Sequence, residues 1–360
     1  MLGRRSDNLV SERVTALHTL EPVVAGVPRY VARLVSEQRS LGMRAFVLLN
    51  DRTADWPTEL EPFTQRIAWS RTLRSTIAAS KAIASHANAL SADVVHAHST
   101  WAGVASRVSG ARAKIIYQPH GWGFHSDGSA IASARTRVSE NLLSFRAARI
   151  LTLSREEEAA APMLTRGRLT RVGPLSPTLP STDRVDRRTL RHQLGLDPMS
   201  RLAIVVGEVS RRKQQVELAH RWVARSTANA RLMVVGNGED ELFASLGVDQ
   251  TGWVANPNDY ICAADLVIVS SRGEGFSLVI EEAVRAGTPV ATLRIGGSEL
   301  VEEAGGILSD SLNDLVDASL SFLACPHQPD VTASTHALER LCNPSRIVAA
   351  IGSAYQAALT

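Results

Sequence analysis

Residues 265–303 read DLVIVSSRGEGFSLVIEEAVRAGTPVATLRIGGSELVEE, and this stretch decides the fold. Residues 266–269 are apolar and strand-like, and small and charged residues follow them. Residues 276–285 have a helical pattern that ends before a Gly-Thr-Pro sequence. A second apolar run at 290–293 completes a strand–loop–helix–strand unit. That unit is typical of a doubly wound parallel α/β sheet.

The loop before this helix has the composition of a ligand-binding loop. Gly275 lets the main chain approach a ligand closely. Free amides at a helix N-terminus suit a diphosphate. Glu274 precedes that N-terminus and Glu282 lies eight residues further on, so sugar hydroxyls are natural partners for their carboxylates. The alternative is that both are solvated helix charges. The amides predicted to be free are those of Phe276, Ser277 and Leu278.

Glu274 and Glu282, with the EGF-x-L segment and the following GTPVA, resemble the E-x7-E signature of retaining glycosyltransferases with the GT-B fold, family 4 (glycosyl transferases group 1). The resemblance implies two Rossmann-like doubly wound domains that face each other across a cleft. It also implies that Glu274 contacts the transferred sugar and that Glu282 contacts the nucleotide ribose. Residues 275–278 are then expected to bind the donor diphosphate.

The chain length of 360 residues is expected for two domains. Three prolines within residues 173–186 indicate an interdomain linker. The predicted organisation has four parts in chain order. They are an acceptor-binding Rossmann-like domain at 1–176, a linker at 177–186, a nucleotide-sugar-binding Rossmann-like domain at 187–342, and a final helix at 343–360 that packs back on the first domain.

Two positions in the first half also follow the family pattern. Gly26 lies after the first predicted strand, where relatives place a glycine near the donor phosphates; a plain turn glycine is the alternative. Residues 114–119 predict a strand that runs into His120-Gly121, and this resembles the family's HGxxF segment. The resemblance implies that His120 lies close to the transferred sugar. His120 and Glu274 are therefore the candidate catalytic residues.

In the second half, the predicted strand at 201–207 is followed by the sequence EVSRRK. The family carries an arginine directly after the strand's glycine and a lysine five residues later, and both bind the donor diphosphate. Lys213 matches the lysine, but Glu208 occupies the arginine position. We expect Arg211 or Arg212 to replace it, because arginine forks suit phosphate oxygens.

Histidine and cysteine patterns bear on metals. His96 and His98 share one face of a predicted strand at 93–98, but the sequence shows no third ligand near them, so both are expected to be structural. No CxxC or DxD pattern suggests zinc or a carboxylate-held magnesium. The sequence therefore predicts no metal site, and Lys213, Arg212 and helix amides are expected to neutralise the leaving diphosphate.

Charge is unevenly distributed along the chain. Residues 1–185 contain 24 basic and 15 acidic residues, whereas residues 186–360 contain 15 and 21. A basic first half suits an anionic acceptor or a lipid surface, or is merely an arginine-rich surface. A helix is predicted over 66–90, with Trp69, Leu73 and Ile77 on one stripe. This helix either docks on a membrane or packs in the core.

Three cysteines, no signal-peptide pattern and no long apolar run predict a cytoplasmic protein, with peripheral contact at the inner membrane face as an option. The resemblance implies a metal-independent hexosyltransferase that takes a UDP- or GDP-sugar and a hydroxyl acceptor, with no cofactor; no pattern suggests nucleic acid. Two alternatives stay open. One is a sugar-nucleotide epimerase or phosphorylase on the same fold, and the other is a non-catalytic partner subunit that binds nucleotide sugars.

Overall fold

The computed structural model describes residues 14–23, 26–54, 56–125, 129–175, 187–197, 199–226, 230–326 and 330–360. The described residues form two compact units. The first contains residues 14–124, 129–175 and 342–360, and the second contains residue 125 and residues 187–341. The predicted linker at 177–186 lies outside the described residues.

The first unit contains one seven-stranded parallel sheet, with the strand order β3-β2-β1-β4-β5-β6-β7. The order reverses between β1 and β4, which is where a doubly wound sheet opens a crevice at its carboxyl edge. The strands are β1 (Thr15–Leu20), β2 (Arg44–Asn50), β3 (Thr64–Ile67), β4 (Val94–His98), β5 (Lys114–Gln118), β6 (Arg149–Thr152) and β7 (Leu169–Arg171).

The helices of this unit cover its sheet, and the last helix of the chain returns to it. They are α1 (Gly26–Ser40), α2 (Leu73–Ala89), α3 (Thr100–Val108), α4 (Ala130–Leu143), α5 (Arg155–Ala159) and the C-terminal Pro344–Leu359, with 3-10 turns at Thr58–Phe63, Gly123–His125, Ser144–Arg146 and Met163–Arg168. The C-terminal helix contacts β5, β6 and α1. Its buried face includes Ile347, Ile351 and Tyr355.

The second unit contains a six-stranded parallel sheet with the order β10-β9-β8-β11-β12-β13, which reverses between β8 and β11. Its strands are β8 (Arg201–Val206), β9 (Ala230–Val235), β10 (Asp249–Gln250), β11 (Leu266–Val269), β12 (Val290–Leu293) and β13 (Ile307–Ser309). Its helices are α6 (Arg187–Gln193), α7 (Gln215–Val223), α8 (Asp240–Leu246), α9 (Pro257–Ala263), α10 (Leu278–Ala286), α11 (Ser298–Glu303), α12 (Leu312–Ala324) and α13 (Val331–Leu341), and the C-terminal helix Pro344–Leu359 is α14.

The strand sequences explain both sheets. Strands such as LVIV in β11 are apolar at every position rather than alternating, because helices cover both faces of a parallel sheet. All four of its residues are buried, and each buried aliphatic side chain contributes about 1.5–3 kcal/mol relative to exposure. The core of the second unit joins these strands to Leu218 and Trp222 of α7 and to Leu315 of α12.

The helix predicted over 66–90 is wrong in its starting residue and in which of its side chains are buried. Residues 64–67 form strand β3, and the helix begins only at Leu73, after Thr72 caps it by accepting a hydrogen bond from the Ser75 amide. Trp69 is buried in the preceding loop, whereas Leu73 and Ile77 are exposed. The buried face of α2 instead has small side chains and one isoleucine: Thr76, Ala79, Ser80, Ile83 and Ala87.

Candidate functional site

The candidate donor site of the second unit lies where β8 and β11 end side by side, at the reversal of its strand order. The loop after β8 is fastened to the loop after β11 by three hydrogen bonds. The Ser270 hydroxyl donates to the Lys213 carbonyl (2.6 Å), the Arg272 amide donates to the Arg212 carbonyl (2.8 Å), and an Arg212 guanidinium nitrogen donates to the Gly273 carbonyl (3.3 Å). These bonds fix the two basic side chains beside the N-terminus of α10.

Lys213 lies directly against the end of β8. Its ammonium group donates to the carbonyl of Val206 (3.3 Å), and it occupies the space that a side chain at Gly207 would take. Burial lowers the pKa of Lys213, and the nearby carboxylates of Glu274 and Glu282 oppose this effect. The lysine therefore presents a partly desolvated cation whose charge is favoured by the carboxylates of Glu274, Glu282 and Glu208.

Glu274 is engaged on both of its oxygens. One accepts a hydrogen bond from the Ser271 hydroxyl (2.9 Å), and the other forms an ion pair with Arg212 (2.6 Å). The Glu274 side chain is 17% exposed and that of Arg212 is 32% exposed. The structure thus joins Arg212, Lys213, Glu274 and Glu282 in one cluster, in which the predicted phosphate ligand and the predicted sugar ligand are paired with each other.

The predicted set of free amides needs one correction. The amide of Ser277 is not free, because it donates to the carbonyl of Gly296 in the loop after β12 (2.9 Å). A side chain at Gly296 would overlap the main chain of residues 274 and 275, so a glycine is needed for this close approach. Helix α10 begins at Leu278, two residues later than predicted, with Ser277 as its N-cap.

Glu208 is exposed and contributes to the electrostatic environment of Lys213. The loop that carries it is ordered by Gln215, a residue that the sequence did not single out. The Gln215 side-chain amide donates to the carbonyls of Gly207 (3.0 Å) and Glu208 (3.1 Å) and accepts from the Ser210 amide (3.1 Å). Arg211 is exposed, so Arg212 is the arginine that the fold brings to Lys213.

The candidate site of the first unit lies at the carboxyl ends of β4 and β5. His120 follows β5 in a left-handed main-chain conformation (φ 55°) and is half-buried, and burial lowers its pKa to about 3. The edge of the Tyr30 ring packs against its imidazole, with the ring centroids 4.6 Å apart. His98 of β4 forms a hydrogen bond to it, with 2.9 Å between His98 Nδ1 and His120 Nε2.

The loop after His120 is held by Glu157 of α5, another residue that the sequence reasoning missed. Its carboxylate accepts from the amides of Gly121 (2.5 Å) and Leu153 (2.7 Å), and its carbonyl accepts from the Trp122 indole (2.7 Å). Burial raises the pKa of Glu157 to about 7. A sequence signal did exist, because Ser154 and Glu157 have the S-x-x-E spacing that marks a helix N-terminus.

A third histidine does lie beside His96 and His98, contrary to the sequence-based expectation. His18 of β1 is paired in register with His96, and one ring nitrogen from each of the three lies within 4.8 Å of the others. All three histidines are fully buried. The signal for this cluster was long-range, because His18 is about 80 residues away in sequence and only the β1–β4 pairing brings it near.

The predicted residues fall into two sets. Gly26, which begins α1, and His120 belong to the first unit, whereas the remaining candidates belong to the second. The candidates of the second unit are Arg212, Lys213, Glu274, Gly275, Phe276, Ser277, Leu278 and Glu282.

Among the described residues, no helix is long and apolar enough to cross a membrane.

Comparisons with known proteins agree with this architecture. The family model described as glycosyl transferases group 1 matches residues 200–325, and the glycosyl transferase 4-like domain matches residues 25–174. Among solved structures, the chain resembles Anabaena HepE in complex with UDP and glucose (TM-score 0.72, 20% identity, 93% of this chain and 97% of that one). It also resembles sucrose-phosphate synthase from Thermosynechococcus elongatus (TM-score 0.77, 18% identity, 96% of this chain and 98% of that one).

Sequence relatives match over shorter segments. A D-inositol 3-phosphate glycosyltransferase from Segniliparus rotundus is 32% identical over a segment that covers 35% of this chain and 32% of that enzyme. A trehalose synthase from Rubrobacter xylanophilus is 25% identical over 43% of this chain and 42% of that enzyme. These matches span about a third to two-fifths of the relatives' lengths. Two family models match separate segments of the chain, and its two-sheet architecture is that of the GT-B fold. This chain therefore belongs to the group 1 glycosyltransferases of the GT-B fold.

Proposed function

We propose that this chain is a retaining glycosyltransferase that moves a hexose-type sugar from a UDP- or GDP-sugar to a hydroxyl group of a glycan, glycolipid or small metabolite. The observation that supports this most strongly is the cluster of Arg212, Lys213, Glu274 and Glu282 at the N-terminus of α10. Cations and helix amides beside carboxylates match a ligand that has both a diphosphate and sugar hydroxyls.

In this proposal, Lys213 binds the diphosphate. Its ammonium group is partly desolvated, so its attraction to phosphate oxygens is stronger than at an open surface. As the bond to the sugar breaks, negative charge grows on the leaving diphosphate, and a fixed cation stabilises that charge most. The amides of Phe276 and Leu278 are the remaining helix donors, since Ser277 donates to Gly296. No cofactor or metal ion is part of the proposal.

Arg212 and Glu274 change partners when the donor binds. The donor's diphosphate competes for the Arg212 guanidinium, which releases a Glu274 oxygen to accept hydrogen bonds from the sugar hydroxyls. The Ser271 hydroxyl keeps the carboxylate oriented through the exchange. Glu282 is proposed to bind the ribose, and its neighbour Glu281 is excluded from that role because it is fully buried and paired with Arg285.

His120 is proposed to contact the transferred sugar from the first unit. Because burial lowers its pKa to about 3, its imidazole is neutral at physiological pH and only weakly basic, so it is proposed to act by hydrogen bonding rather than by taking a proton. Gly26 is proposed to lie near the donor phosphates at the N-terminus of α1.

An assay of nucleotide release tests this proposal. The protein is incubated with UDP-, GDP-, ADP- and dTDP-glucose, with and without EDTA, and release of nucleoside diphosphate to water or a model acceptor is measured. We expect turnover with one uridine or guanosine donor, unchanged by EDTA, and an α-configured product by proton NMR. Glu274→Gln is expected to lower the rate about 10²–10³-fold, whereas the exposed Glu241→Gln is expected to leave it unchanged.

The same assay separates the alternatives. Release of free nucleoside diphosphate together with an isomerised sugar indicates an epimerase. Turnover that depends on inorganic phosphate indicates a phosphorylase. The exposed Glu208, in place of a cation, motivates the non-catalytic partner. That alternative predicts tight donor binding without turnover by the isolated chain, with activity only when a second subunit is present.

The proposal includes a cytoplasmic location with peripheral contact to anionic lipid. The supporting surface is not α2 but α4 with the adjacent turns 144–146 and 163–168, where large apolar side chains are exposed among arginines. Apolar contact and arginine charge together suit an anionic lipid surface. The exposed apolar residues are Ile131, Val138, Leu142, Phe145, Met163 and Leu164, and the arginines are Arg135, Arg137, Arg146, Arg166 and Arg168.

Vesicle sedimentation tests this surface. Binding to phosphatidylglycerol vesicles is expected to fall at least several-fold in Phe145→Glu and to remain in Leu73→Glu, because Leu73 is exposed on α2, away from this surface. Equal loss of vesicle binding in both variants would indicate an effect of the added charge only. Loss of binding in Leu73→Glu alone would indicate that α2 makes the membrane contact.

A further inference from the structure

A row of hydrogen-bonded side chains runs from α1 through the sheet to His120. Gln38 Oε1 lies 2.8 Å from His18 Nε2, His18 Nδ1 lies 3.0 Å from His98 Nε2, and His98 Nδ1 lies 2.9 Å from His120 Nε2. Gln38, His18 and His98 are fully buried, and burial lowers the pKa of each histidine in the row. The row therefore consists of neutral imidazoles, each with one N–H and one lone pair.

The amide of Gln38 fixes the direction of the row. Its Nε2 donates to the hydroxyl of Tyr355 in α14 (3.2 Å), and that hydroxyl lies 2.7 Å from His96 Nδ1. Gln38 Oε1 is the atom that faces His18, at 2.8 Å from its Nε2, and an oxygen can only accept. His18 must carry its proton on Nε2, since the opposite tautomer would place two acceptors in contact.

Each later proton position follows from the one before. His18 Nδ1 is a lone pair, so His98 must donate to it from Nε2. His98 Nδ1 is then a lone pair, so His120 must donate to it from Nε2. The arrangement ends with a lone pair on His120 Nδ1. Reversing it would leave a buried acceptor–acceptor contact at Gln38, which costs about 1–3 kcal/mol.

We propose that Gln38, His18 and His98 are positioning residues that hold His120 as its Nε2–H tautomer, so that Nδ1 accepts a hydrogen bond from a hydroxyl group of the bound sugar. This inference rests on the proposed function for its substrate class. The role of the row is to fix an acceptor in place, and no proton passes along it. The left-handed main chain at His120, held by the bond from Gly121 to Glu157, fixes the ring from the other side.

A metal ion bound by His18, His96 and His98 is the competing interpretation of the cluster. The hydrogen bonds favour the row, because His18 Nδ1 and His98 Nε2 face each other at 3.0 Å and already satisfy one another. The third histidine, His96, bonds the Tyr355 hydroxyl through Nδ1 (2.7 Å), whereas its buried Nε2 has no hydrogen-bond partner among the described residues.

Nitrogen NMR of the imidazole rings tests the proposal directly. Protein labelled with 15N-histidine is examined by long-range 1H–15N correlation, and His18, His98 and His120 are assigned by single substitution. We expect all three to be neutral with the proton on Nε2 between pH 6 and 8. A proton on Nδ1 of His120, or a mixture of tautomers in the wild type, would overturn the proposal. A shift of the His18, His96 and His98 rings on addition of Zn²⁺, with His96 assigned in the same way, would replace it with the metal site.

Gln38→Met removes the fixed acceptor and is compared with Gln65→Met, whose glutamine is exposed on β3. We expect mixed tautomers at His120 in Gln38→Met alone, with kcat roughly tenfold or more lower and the donor KM less affected. Unchanged tautomers in Gln38→Met would contradict the proposal. If that variant does not fold, the wild-type spectrum still decides the question. An intact Nε2–H row without transfer from any donor would refute the proposed function and leave the row standing.

Discussion

At the scale of single residues, Gly207 decides how closely the Lys213 ammonium group approaches the main chain. Its φ of +123° disfavours any other residue, and an added Cβ would overlap the lysine. We expect Gly207→Ala to destabilise the second unit by about 1–3 kcal/mol and to weaken nucleotide binding at least tenfold, because the ammonium group must move. Urea denaturation and titration calorimetry measure the two effects.

Gly110→Ala is the matched control for this prediction. Gly110 has a φ of +71°, but its added Cβ would meet no atom within 4 Å. It therefore tests main-chain strain without displacement of a ligand residue. Equal nucleotide affinity in Gly207→Ala and the wild type would show that the position of Lys213 against β8 is unimportant for binding.

At this scale the sequence predicted the identities of the charged residues better than their partners. Lys213, Glu274 and Glu282 could be proposed as site residues because each lies in a short local motif, EVSRRK for the lysine and E-x7-E for the glutamates. The hydrogen bond from Ser277 to Gly296 and the Gln215 bonds to the loop after β8 depend on how neighbouring loops meet. A single sequence does not contain that information.

At the scale of elements, the short helix α5 positions the loop that carries His120. Burial raises the pKa of Glu157 from 4.5 to about 7, so the folded state retains a proton that the unfolded state releases. The contribution of this carboxyl to stability therefore falls as pH rises from about 4.5 to about 7. The expected change is roughly 3 kcal/mol over that range.

Glu157→Gln removes this titration. We expect the difference in unfolding free energy between wild type and variant to decrease as pH rises through this range, measured by chemical denaturation at several pH values. Glu158→Gln is the control, because Glu158 is an exposed neighbour on the same helix. A wild-type-minus-variant difference that is constant with pH would contradict the assigned pKa shift.

The helix predicted over 66–90 shows why element boundaries were the weakest part of the sequence reasoning. Trp69 fits the helical spacing of large apolar residues in this segment, but it is buried in a loop by contacts from other elements. The local signal that mattered was Thr72, a helix-capping residue just before the true start. Strands such as β11 were predicted well because continuous apolar runs have few other solutions.

At the scale of the whole molecule, buried neutral histidines make stability depend on pH. Burial lowers the pKa of His18 from 6.5 to about 4, so the unfolded state binds a proton that the folded state excludes. Stability from this residue is present above pH 6.5 and is lost as pH falls toward 4, by roughly 3 kcal/mol. His96 and His98 have lowered pKa values for the same reason and add to this trend.

Acid denaturation followed by circular dichroism measures this dependence. We expect His18→Gln to reduce the slope of stability against pH between 4 and 6.5, although its stability at pH 8 is also lower because it breaks the contact with His98. His220→Gln, at an exposed position on α7, is expected to leave the slope unchanged. An unchanged slope in His18→Gln would show that this histidine is not buried in its neutral form.

The two-sheet architecture was predictable from the sequence because each half contains its own series of apolar runs and helical segments. The row from Gln38 to His120 was not, because its members come from α1, β1, β4 and the end of β5. Only the parallel pairing of β1 with β4 and β4 with β5 brings these side chains together. Local sequence patterns do not show which distant strands pair with each other.

The most direct test of the central claim is nucleotide binding by the second unit's charged cluster. Thermal unfolding of the full chain is measured with UDP, GDP, ADP and dTDP, for the wild type and for Lys213→Met, Glu282→Ala and the exposed-lysine control Lys81→Met. We predict that UDP or GDP stabilises the wild type, by about 2.7 kcal/mol at a hundredfold excess over Kd. Lys81→Met should keep this shift, and the other two variants should lose it. No shift with any nucleotide at millimolar concentration, or an equal shift in Lys213→Met and Lys81→Met, would contradict the claim.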